Sequence, residues 1–169
     1  MGNTVAVGRT TAAPAQLVLR IVTCVGLVAD AGVHLHLARS YDVVAGGIGQ
    51  GNLFRIESVV SLIVAVLILV VRRWWMDAIA FLVAGSALLA VLASTYVHIG
   101  AVGPIPDMYE PIWYLEKVLV TTAEAMATVS ALVAAVLAFR ARDTRRAPSR
   151  RQPAARSGAT ARSEDRSRS

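Results

Sequence analysis

Four long apolar runs, set apart by short polar connections, govern what this 169-residue chain can become. They cover residues 17–38, 53–71, 74–99 and 112–139. A helix of roughly 20 mostly apolar residues crosses a bilayer core about 30 Å thick, and each run is about that long. Backbone polar groups cannot stay unpaired in lipid, so such runs are helical. Arg72-Arg73 alone separates the second run from the third, which makes those two antiparallel neighbours. The other links, residues 39–52 and 100–111, are rich in Gly or Pro, as connections between helices are. The expected fold is all-α: an up-down four-helix transmembrane bundle over residues 17–140, with the lipid bilayer as its solvent. Residues 1–16 precede it and a basic tail, residues 141–169, follows.

Composition narrows the function classes. At 56% hydrophobic and 17% charged, the chain is too apolar for one soluble domain of its length. Ten of its 17 basic residues lie from Arg140 onward, so the net charge of +6 describes a tail and not a basic domain. No nucleic acid surface is expected. A single cysteine, Cys24, excludes a disulfide framework and reads as a small buried residue. The glycines from Gly46 to Gly51 join two membrane helices with no strand before them, so they form a flexible loop and not a phosphate cradle. Gly103-Pro104-Ile105-Pro106 reads as a rigid extended segment holding Asp107, Tyr109 and Glu110 over the bundle mouth.

Lys/Arg asymmetry sets the orientation. Arg9, Arg20, Arg72, Arg73 and the tail arginines fall on one side, against Arg39, Arg55 and Lys117 on the other. Both termini are therefore expected in the cytoplasm, with the protein multi-pass in the plasma (inner) membrane. Trp74 and Trp75 mark the inner interface and Trp113 the outer one. The Arg-, Ser-, Ala- and Pro-rich tail lacks the apolar surface to order itself. Its arginines would attract anionic lipid headgroups or serve only as a topology signal. The first run also admits a signal-peptide reading, Leu17 to Val28 followed by Ala29-Asp30-Ala31, but Arg20 interrupts it and favours a retained span.

Topology then gathers the polar residues. The C-terminal ends of spans one and three share the extracytoplasmic side with the N-terminal ends of spans two and four. That side carries Asp30, His34 and His36, then Arg55 and Glu57, then Ser94, Tyr96 and His98, then Tyr114, Glu116 and Lys117, with Glu124 about two turns deeper. Ionisable groups at membrane depth are costly and face the bundle interior, a partner or a water-filled cavity. Glu124 is the deepest; it either links helices beside Thr121, Thr122 and Thr128 or moves protons. Asp30 and His34, four residues apart, share a helix face, so the carboxylate can orient the imidazole. His36 lies about 200° around the helix from His34, so only one of them points inward.

A set drawn from His34 or His36, His98, and Glu57 or Glu116 would suit a transition-metal ion: zinc, copper or iron. Asp30, Tyr96 and Glu124 would support it or carry protons. Haem held by two histidines ranks below a bare ion. Three function classes follow. The first is a metal- or small-ligand-binding protein or accessory subunit of a membrane complex. The second is a structural or assembly protein with no ligand. The third is a haem-binding or proton-coupled enzyme or transporter component using Glu124 and Glu57. Gly85, Ser86, Ala87 and Ala90 on span three would admit another helix, in a homo-oligomer or a larger complex.

His34-Leu35-His36-Leu37, Tyr41, Gly49, Leu53-Phe54 and Glu57 together resemble a pattern in small, functionally uncharacterised four-helix integral membrane proteins of high-GC Gram-positive bacteria. The Ala-, Arg- and Val-rich composition with one lysine fits such a source. The resemblance covers mainly residues 17–71. It implies the membrane fold and location and transfers no catalytic residues.

Overall fold

The computed structural model describes residues 12–42, 49–98, 100–101, 103 and 107–146. They form four helices, α1 (Ala12–Ala38), α2 (Gln50–Val70), α3 (Trp74–Tyr96) and α4 (Leu115–Arg146), with no strand among the described residues. All four are long and apolar enough to cross a membrane. The chain divides into two compact units, Met1–Phe139 and Arg140–Ser169. The first carries the helix bundle; of the second, the described part is the end of α4.

Helix ends differ from the apolar pattern by a few residues. α2 starts at Gln50, so Gly51 lies inside a helix and not in the expected loop. A Cβ on Gly51 would stand 2.6 Å from the Ala38 carbonyl oxygen, which is why this turn of α2 can rest against the end of α1. α3 stops at Tyr96 because Val97, β-branched, takes extended backbone. α4 runs past Phe139 to Arg146: Ala and Arg are good helix formers, and basic side chains favour a helix C-terminus. The N-terminal residues 1–11, the glycine loop at 43–48, the segment 104–106 and the tail from 147 onward lie outside the described residues.

The side chains are distributed as lipid demands. Val66, Val70, Leu82, Leu89 and Val129 face outward, whereas the interior holds alanines, serines and charged groups. In water those outward faces would form apolar patches far larger than a soluble monomer tolerates. Small residues set the helix spacing. Ala123, Ala127, Ala131 and Ala134 form a buried stripe on α4. Opposite them, a Cβ on Gly26 would lie 2.8 Å from the Ala123 carbonyl oxygen and 2.9 Å from the Ala127 Cβ. Glycine thus lets α1 and α4 touch backbone to backbone. One turn away, the Thr23 and Ser130 hydroxyls share a hydrogen bond of 2.8 Å. The small residues of α3 divide: Ala84 and Ala87 are buried in the bundle, while Ser86 and Ala90 are exposed.

Polar groups inside the bundle form two layers with an apolar layer between them. Near the starts of α1 and α3, Arg20 pairs with Asp77. Leu27, Val64, Ala65, Ile68, Ala80, Ala84, Ala127 and Ala131 pack beyond it as one cluster. Past that cluster, toward the ends of α1 and α3, lies the second polar layer.

Candidate metal centre

Asp30 anchors this layer from α1. Its side chain is buried, and its Oδ2 accepts a hydrogen bond of 2.8 Å from Ser61 Oγ on α2. Three residues before Ser61, the Ser58 hydroxyl lies 3.1 Å from the Ala31 carbonyl oxygen and 2.8 Å from that of Phe54. One turn beyond Asp30, His34 Nδ1 lies 2.8 Å from Asp30 Oδ1 and 3.2 Å from the Asp30 carbonyl oxygen. The ring is aligned with the carbonyl while standing at ion-pair distance from the carboxylate. Phe54 of α2 packs edge-on against the imidazole at 5.1 Å.

Glu124 enters from α4. Its ligand oxygen, one from Asp30 and a ring nitrogen of His34 all lie within 4.8 Å of one another. Glu124 is buried, and its Oε2 accepts no hydrogen bond from a hydroxyl, amide or ring N–H among the described residues. The neighbouring threonines do not supply one. Thr121 donates to the Lys117 carbonyl, Thr122 to Val118 and Thr128 to Glu124's own carbonyl, each at 2.7 Å. Hydroxyls mid-helix favour this bond to the preceding turn. Asp30 Oδ1, 2.8 Å from His34 Nδ1, and Glu124 Oε2 therefore face one imidazole with no hydroxyl or amide donor to either among the described residues. Buried polar atoms are almost always satisfied, and a pair left bare is costly.

A cavity of about 140 Å³ opens above the cluster, lined by His34, Glu57, Glu110, Lys117 and Glu124 among apolar neighbours. Its mouth is tied together by Glu110. The Glu110 amide donates to the Ser94 carbonyl at 2.8 Å, and its Oε2 accepts from Tyr41 at 3.1 Å and Tyr114 at 3.3 Å. Lys117 Nζ donates to the Glu110 carbonyl and stands 5.8 Å and 5.9 Å from the ring centroids of Trp113 and Tyr114. Burial first, and the Glu110 carboxylate with it, pushes both the Tyr41 and Tyr114 phenols above their ordinary range, so both remain donors. Outside this ring, Arg55 pairs with exposed Asp42 and holds its carboxyl below the usual carboxylate range.

No family model, curated protein or solved structure matches the chain.

The residues singled out from sequence are divided between two places. His34 and Glu57 line the cavity, and Asp30 and Glu124, expected as supporting groups, join His34 in the cluster itself. His36 is exposed, as the helical angle between it and His34 requires. His98 is largely exposed; it stacks on Tyr109 at 4.7 Å and lies 3.5 Å from Asp107. Glu116 is half-buried, outside the cluster, and Tyr96 is exposed beside Trp113 at 6.4 Å. Ser61, which holds Asp30, carries no signal in sequence; Glu110 is expected over the mouth and Tyr114 on the same side, but their bonding to each other and to Tyr41 depends on how the helices are set against one another.

One imidazole and two carboxylates make a three-residue donor set of the kind that leaves coordination positions free. Those positions would face the cavity. The cluster contains one histidine, where an axially ligated haem of the expected type uses two.

Proposed function

We propose that the protein is a metal-binding integral membrane protein, which holds a divalent transition-metal ion between α1 and α4 through Asp30, His34 and Glu124. The convergence of two buried carboxylates and one imidazole, their ligand atoms within 4.8 Å of one another, carries this reading. Charge supports it. Around the cavity and the cluster beneath it stand four carboxyls, those of Asp30, Glu57, Glu110 and Glu124, against the single ammonium of Lys117. A divalent cation would let carboxyls buried this close together ionise side by side, in a medium where unpaired charge is expensive. Zinc, iron and copper(II) all suit the donor types. The arginine bias puts the cavity mouth on the extracytoplasmic face, where a binding or accessory subunit would take up its ion. A reporter inserted between α3 and α4 should read external; a cytoplasmic reading would reverse that orientation.

The test is a cobalt(II) titration of the purified full-length chain in detergent, followed by visible absorption. One equivalent should develop a band in the wild type, and Glu124→Gln should weaken binding at least about 100-fold, the upper end of what loss of outer partners costs. Absence of bound cobalt in the wild type would remove the metal reading. It would favour a structural role instead, in which Asp30 and Glu124 share a proton across α1 and α4 while Ser61 holds the pair in place.

A further inference from the structure

α2 contributes no member of the three-residue cluster, yet it is closely engaged with that part of α1. Ser61 stands opposite Asp30, Ser58 reaches the Ala31 carbonyl, and the Phe54 ring lies against His34. α1 and α2 run antiparallel, so a step of one turn toward the mouth from Asp30 leads to His34, and the same step from Ser61 leads to residue 57. Residues four apart share a helix face. Glu57 therefore stands on the Ser61 face of α2, level with His34. Its carboxyl is half-buried, lines the same cavity as His34 and Glu124, and makes no hydrogen bond or ion pair among the described residues. It lies within electrostatic reach of Asp30, His34 and Glu124 but outside the 4.8 Å group those three form, so its side chain must turn in from the cavity wall to reach a shared ion.

We infer that Glu57 is the fourth ligand of the metal centre, closing the coordination from α2; this rests on the metal reading above. The donor set becomes one imidazole and three carboxylates, supplied by α1, α2 and α4. So oxygen-rich a set favours manganese(II), iron(II) or zinc(II) and disfavours copper(I), which prefers sulfur donors. A bound ion would also tie three helices together through a single point, beside the cavity.

The test uses the cobalt(II)-loaded full-length protein and two substitutions. Glu57→Gln keeps the size of the side chain but is a poor ligand; cobalt affinity should fall about 10–100-fold. Glu57→His replaces one ligand by another, so cobalt should still bind while its visible band shifts in position and intensity. That variant decides the matter even if Glu57→Gln fails to fold. An affinity and band unchanged in both variants, with Glu124→Gln still abolishing binding, would overturn the role of Glu57 and leave the three-residue site standing. No cobalt band in the wild type would overturn both readings together.

Discussion

Arg20 and Asp77 form a two-point ion pair inside the bundle, with Nε to Oδ1 at 2.8 Å and Nη2 to Oδ2 at 2.7 Å and side-chain exposures of 6% and 0%. The Arg73 carbonyl, 3.3 Å from Arg20 Nη2, and Gln16, 3.4 Å from Asp77 Oδ2, complete the hydrogen bonding. Gln16 also donates to the Ala134 carbonyl at 3.1 Å, so this knot joins α1, α3 and α4 at one end of the core.

Breaking that pair should be costly. Asp77→Asn leaves a buried guanidinium without its counter-charge, which typically costs about 3–5 kcal/mol. Replacing both residues by leucine or methionine of similar volume should be much milder, because no charge is then left unpaired. Equilibrium unfolding in mixed micelles would compare the single and double variants. Equal losses in both would mean that packing, and not charge, holds this end together.

The α1–α4 contact gives a second prediction. Gly26→Ala places a methyl group against backbone and an alanine, neither of which can swing aside, so the helices must separate; overpacking of this kind costs about 1–3 kcal/mol. Gly32, on the same helix, has open space where its Cβ would go. There the same substitution should be neutral or stabilise by up to about 1 kcal/mol through helix propensity. Thermal unfolding in detergent separates the two; similar effects at both positions would contradict the close approach.

Much of this is legible in the sequence, and the remainder has physical causes. Apolar run lengths mark the four helices because lipid admits little else. Helical angle alone separates His34 from His36. The partner of Arg20 was also within reach: Arg20 and Asp77 each lie about one turn inside spans that start on the same side, so each is the other's nearest remedy. Registry between helices was not legible. Whether Glu124 meets Asp30 or His98 depends on a fraction of a turn of α4 against α1, which the Gly26 contact sets. Periodicity cannot show that Ser61, and not a charged group, takes Asp30 Oδ2.

The mouth of the cavity should weaken at high pH. Both Tyr41 and Tyr114 have phenols raised above their ordinary value, chiefly by burial. The contribution is therefore full below the unfolded tyrosine pKa of about 10 and is lost as pH rises above it. Wild-type protein should show an added loss of thermal stability above about pH 10 that the Tyr41→Phe, Tyr114→Phe double variant lacks. Parallel alkaline profiles would show that the hydroxyls bound to Glu110 do not stabilise the mouth.

The most direct measurement is the zinc content per chain of purified protein, after loading and dialysis, for wild type and four single variants. If Asp30, His34 and Glu124 form the centre, one zinc per chain should remain in the wild type, His36→Ala and His98→Ala. His34→Ala and Glu124→Gln should retain close to none. Zinc lost from His98→Ala but kept in Glu124→Gln, or no zinc held by the wild type, would contradict the account.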